Sequence, residues 1–79
     1  MAKISFQLTH VKGYSVKKSD SLKEIWKHIR IFINEPTRWV VEQVDSRDNV
    51  QCKISAYYLT ENFKEESTFP ETISDIKQP

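Results

Sequence analysis

The feature that most restricts this chain is a change of hydrophobic period within its first 33 residues, from two to about 3.6. Residues 3 to 9 alternate strictly, with Ile4, Phe6 and Leu8 on one side and Lys3, Ser5, Gln7 and Thr9 on the other. That pattern is a half-buried strand. His10-Val11-Lys12-Gly13 holds the only glycine, and Tyr14-Ser15-Val16 resumes a short alternation, so a second short strand is expected to pair back on the first.

From Leu22 the period lengthens. Leu22, Ile25, Trp26, Ile29, Phe32 and Ile33 gather in one arc about 120° wide, with Lys23, Glu24, Lys27, His28 and Arg30 outside it. Ser21 and Glu24 have capping-box spacing, so the helix is expected to start there. Pro36 disfavours helical geometry at Glu35 and places the end near Asn34. Ile31 points away from the arc.

Residues 38–45 and 50–59 read as a hairpin around Ser46-Arg47-Asp48-Asn49. Setting Asp45 opposite Val50 pairs Glu42 with Lys53, Val41 with Ile54, Gln43 with Cys52 and Trp39 with Ala56. Charge then meets charge and apolar meets apolar; a slip of one residue mixes the faces. The inner face becomes Trp39, Val41, Cys52, Ile54, Ala56 and Tyr58, and the outer face carries Arg38, Val40, Glu42, Val44, Lys53, Ser55 and Tyr57. Beyond Thr60 the period fades, apart from a helical turn allowed near Glu61-Asn62-Phe63. The expectation is an α+β domain over residues 1–60: a small antiparallel sheet of three to four strands in β(β)αββ order, with one amphipathic helix on one face. Residues 61–79 are expected to form an acidic tail, loosely docked or disordered.

A chain of 79 residues buries only about 60% of the surface exposed when unfolded, so its core is thin. With 38% hydrophobic residues and a net charge of +1 it does not have the composition of a disordered chain. No apolar run approaches the roughly 18 residues that cross a bilayer, and the N-terminus enters its alternation without a signal-peptide core. Together with a single cysteine, this points to the cytoplasm and away from a membrane.

Several kinds of chemistry lack their residues. His10, His28 and Cys52 have no metal-ligand spacing, so no metal is expected. Cys52 falls on an inward strand position, where a free cysteine is ordinarily a small hydrophobe and not a nucleophile. One glycine cannot build a phosphate-cradling loop, and no cofactor is expected. Glu42 has Lys53 as a partner and Asp48 belongs to a turn, which leaves no isolated carboxylate pair for acid–base work. A non-enzymatic domain follows.

The near-neutral charge is the sum of opposed halves. Residues 1–40 carry eight basic and three acidic side chains, a net of +5; residues 41–79 carry four and eight, a net of −4. Lys23, Lys27 and Arg30 lie on one flank of the helix, and Lys12, Lys17 and Lys18 enter from the segment before it. Such a stripe can contact phosphates, but a pI near 7.9 is below the value of about 9 typical of dedicated nucleic-acid domains. Val40, Val44 and Tyr57 form an apolar strip on the outer sheet face. The expected function is therefore binding or regulation through a protein partner or self-association, in the simplest case a homodimer. Nucleic-acid binding through the basic flank is the alternative.

Overall fold

The computed structural model describes residues 3–76, which form an α+β domain. Strand β1 (Ser5–His10) leads into β2 (Ser15–Ser19), helix α1 (Leu22–Phe32), β3 (Trp39–Val44), β4 (Val50–Ser55) and helix α2 (Ala56–Asn62). Short 3-10 turns follow at Glu66–Thr68 and Ile73–Asp75, and another at Pro36–Arg38 precedes β3. The four strands make one antiparallel sheet in the order β2-β1-β3-β4, with β1 and β3 central.

The alternation of β1 is realised as read: Phe6 and Leu8 are buried. They lie across from Gln43 and Val41 of β3, so one face of the sheet is apolar. Gly13 takes φ +102° in the turn to β2, a region that side chains with a Cβ rarely enter. β2 is longer than the short alternation implied, and its pairing slips between Leu8 and Thr9, which leaves Val16 as the extra residue of a bulge.

Helix α1 buries Leu22, Ile25, Trp26 and Ile29 against this face. Its start departs from the capping-box expectation, since Ser21 makes no side-chain cap. Instead the Ser21 N–H donates to Ser19 Oγ at 3.1 Å. The helix closes at Phe32, two residues before Asn34, with the Ile33 N–H bonded to the Ile29 carbonyl. Phe32, assigned to the buried arc, is exposed.

The β3–β4 register holds from Val40↔Ser55 to Gln43↔Cys52 and then slips by one, so Val44 and not Asp45 faces Val50. The turn chemistry explains the slip. Asp45 accepts the backbone N–H groups of Arg47 at 2.8 Å and Asn49 at 3.0 Å, and its own N–H donates to the Asn49 carbonyl. Asp48 then sits at φ 62°, and Gln51 is squeezed out as a bulge.

The strand expected to run to residue 59 stops at Ser55. Ala56 does not pair with Trp39; it begins α2, which carries Tyr57 and Tyr58 as well. Ala56, Leu59 and Phe63 have helical spacing, and the first two are buried in the core while Phe63 packs against it.

The segment after residue 60 is part of the same packing. Phe69 and Ile73 belong to the core cluster, with Phe63 and Ile76 against it. Trp26 donates its indole N–H to the Phe63 carbonyl at 2.8 Å, and its ring lies 4.7 Å from that of Phe69. Residue 60 is thus no boundary of the packed domain, and the expectation of a loose tail is corrected for residues 61–76. Residues 77–79 of that tail lie outside the described residues.

Candidate functional site

The six basic residues singled out by the sequence do not share one surface. Lys23, Lys27 and Arg30 line the α1 flank that faces the C-terminal segment. Glu66 is placed there, 2.8 Å from Lys27 Nζ. That hydrogen bond raises the Lys27 ammonium above its ordinary pKa and, from the other side, lowers the Glu66 carboxylate, which Lys23 also lowers through its charge. The Arg30 guanidinium lies 4.6 Å over the Trp26 ring, a cation–π arrangement. Lys18 is bonded to Asp48 at 3.0 Å. Lys12 stands exposed at the β1–β2 turn and Lys17 is half-buried on β2. Of the acidic half of the chain, Glu66 thus lies against the basic flank of α1.

The proposed sheet-face strip of Val40, Val44 and Tyr57 is not formed. Val40 is half-buried, Val44 is buried, and Tyr57 is on α2. The strip required β4 to continue past Ser55, and it does not. The open face of the sheet is polar: Glu42 Oε1 accepts from Gln7 Nε2 and from Thr9 Oγ1, both at 2.9 Å, and Thr9 bonds Ser15 at 2.8 Å. Lys53 lies opposite Glu42 in the register.

Burial pushes the Cys52 thiol upward in pKa, away from thiolate. The His10 Nδ1 accepts the Lys12 N–H at 3.1 Å, and its ring is stacked 4.9 Å from Tyr14 and set edge-on 4.7 Å from Trp39. Among the described residues no three His, Cys, Asp or Glu side chains converge on a point that would hold a metal ion. A cleft of about 600 Å³ lies between the start of α1 and the C-terminal segment, over Leu22 and Phe69 and rimmed by Asp20, Lys23 and Glu66. Its charged groups are of both signs, and no buried side-chain polar atom among the described residues lacks a partner.

One surface emerges that sequence reasoning largely missed. Because β2 runs back along β1 and α1 returns alongside β2, the β1–β2 turn, the end of α1, the Pro36–Arg38 turn and the start of α2 all meet at one end of the sheet. The pairing of His10 with Trp39 and the hydrogen bond from the Val11 N–H to the Arg38 carbonyl fix this arrangement. Of the seven exposed large apolar side chains among the described residues, five belong to these elements, Val11, Tyr14, Ile31, Phe32 and Tyr57, and Val16 lies at the start of β2 beside the turn. Ile31 is 72% exposed, Phe32 67% and Val11 62%. The seventh, Val50, is at the other end. The outward direction of Ile31 was legible in the helical period; the gathering of the rest was not, since it depends on topology. No helix of the described residues is long and apolar enough to cross a membrane. No known protein family, curated protein or solved structure matches this chain.

Proposed function

We propose that this domain is a non-enzymatic, cytoplasmic protein-binding module that works through the apolar end formed by the β1–β2 turn and the close of α1. The observation that carries the reading is the concentration of Val11, Tyr14, Val16, Ile31 and Phe32 there. Scattered exposed apolar side chains are ordinary on any protein, but several brought to one end, two of them adjacent at the end of a helix, are the mark of a docking surface. The aromatic rings of His10, Tyr14 and Trp39 brace one another, so the surface is preorganised and loses little freedom on binding. The free cysteine, half-buried, agrees with a reducing compartment. The engagement of Lys27 with Glu66 and of Arg30 with Trp26 weakens the case for phosphate contacts along the helix.

The test is a comparison of the full chain with its Ile31→Asp and Phe32→Asp variants. Cross-linking followed by mass spectrometry should find a partner with the parent protein and lose it with both variants, while their far-UV circular dichroism stays unchanged. Capture of the same partners by all three overturns the proposal. Retardation of DNA or RNA at 50 mM salt, fading steeply as salt rises, would favour the nucleic-acid reading instead.

A further inference from the structure

We infer that the open edge of β2 receives an extended, acidic segment of a partner protein as a fifth strand, so that the partner is recognised by strand addition. The inference rests on the protein-binding reading above and names the chemistry of the partner.

The backbone supplies the template. β2 is hydrogen-bonded to β1 alone and forms one edge of the sheet. The opposite edge, β4, has the Ile73–Asp75 turn packed beside it. A strand laid along β2 would satisfy main-chain groups that the fold leaves to water.

Charge selects the occupant. The first nineteen residues hold four lysines and no carboxylate. Asp20 lies 3.6 Å from Lys3, and Asp48 3.0 Å from Lys18. Lys17 is on β2, half-buried, and Lys12 is exposed in the turn that leads into it. A second copy added antiparallel through β2 in the register centred on Lys17 and Lys18 would bring that pair against its own image, where like charge opposes self-pairing. An acidic strand turns the same lysines from guards into partners.

The helix adds an apolar shelf. Trp26 and Lys27 reach toward Phe63 and Glu66, which places the C-terminal segment on one flank of α1. Phe32 and His28 project roughly 80° and 120° to the other side of the buried arc, away from the C-terminal segment. Their rings lie 4.8 Å apart. Alternate side chains of an added strand would meet Phe32 beneath the sheet and solvent above it.

The probe is a ten-residue peptide alternating glutamate and valine, with a lysine–valine peptide as its counterpart, titrated into the full chain. The glutamate peptide should bind at least about tenfold more tightly, the scale of a few partly exposed charge pairs. Amide hydrogen exchange should slow over Ser15–Ser19. A Lys12→Glu/Lys17→Glu double variant should reverse the preference, and Phe32→Ser should weaken binding of either peptide. Equal affinity for the two peptides, no binding, or protection confined to other elements overturns the inference. So does a dimer that Phe32→Ser dissociates, which would make the occupant a second copy, or displacement of the peptide by phosphatidylserine vesicles. If the peptide fails while Phe32→Asp still loses a captured partner, strand addition is wrong and the protein-binding reading stands.

Discussion

The side-chain oxygen of Gln43 lies 3.0 Å from the backbone nitrogen of Ile73, which ties the last described turn of the chain to the centre of the sheet. Gln43 is only 3% exposed, and its amide N–H reaches Gln51 at 2.9 Å. A buried polar side chain is stable here because both ends are satisfied.

Replacing Gln43 by Leu keeps much of the volume and leaves the Ile73 N–H without its acceptor. The expected cost is about 1–3 kcal/mol, the penalty for an unmet buried donor. Urea denaturation measures it, and hydrogen exchange at the Ile73 amide should speed more than at β1.

Phe69 joins Trp26 and Phe63 in an aromatic group at the edge of the core. Phe69→Ala should destabilise by about 3 kcal/mol or more, a large share of what so small a domain possesses. Truncation after Asn62 removes Phe69 and Ile73 together and should yield a chain without a cooperative thermal transition.

Trp26→Phe removes the indole donor to the Phe63 carbonyl and also leaves unfilled volume where a fully buried ring stood. A loss greater than the roughly 1 kcal/mol of one hydrogen bond is expected, read from the shift in urea midpoint.

The pH dependence follows from three groups. Asp45 is lowered by the N–H groups of Asn49 and Arg47, and Glu66 by Lys27. Each adds stability that is present above its unfolded pKa, about 4, and is lost as pH falls through the lower folded value. Lys27 is raised by Glu66, so its contribution is present below about pH 10.4 and is lost as pH rises through the higher folded value. Glu66→Gln should therefore be less stable than the parent at pH 7 and converge with it in strong acid. Thermal melts from pH 2 to pH 7 check this.

Ile31→Ser and Phe32→Ser should alter stability by no more than about 0.5 kcal/mol, because both side chains are exposed in the folded state. A loss comparable to that of Phe69→Ala would show that this end of α1 is part of the core.

By itself the sequence determined the elements whose neighbours are local or whose charges must match. Ile4, Phe6 and Leu8 alternate in a single strand, and the Glu42–Lys53 and Val41–Ile54 pairs admit one register. The helix shows in the recurrence of Leu22, Ile25, Trp26 and Ile29. Tertiary structure decided what depends on distant neighbours. Tyr57 and Tyr58 favour a strand by propensity, yet the pairing of β4 with β3 ends at Ser55, and Ala56 and Leu59 reach the core from a helix. Phe63, Phe69 and Ile73 have no common period because short turns carry them to separate places in the core, the first two against Trp26 and Ile73 against Gln43. The same limit held for the candidate surface. A helical wheel puts Phe32 in the buried arc, yet the ring is exposed, because the wheel does not show how far its neighbours extend. Only the return of α1 beside β2 brings the close of the helix, where Phe32 is exposed, to the same end of the sheet as the β1–β2 turn.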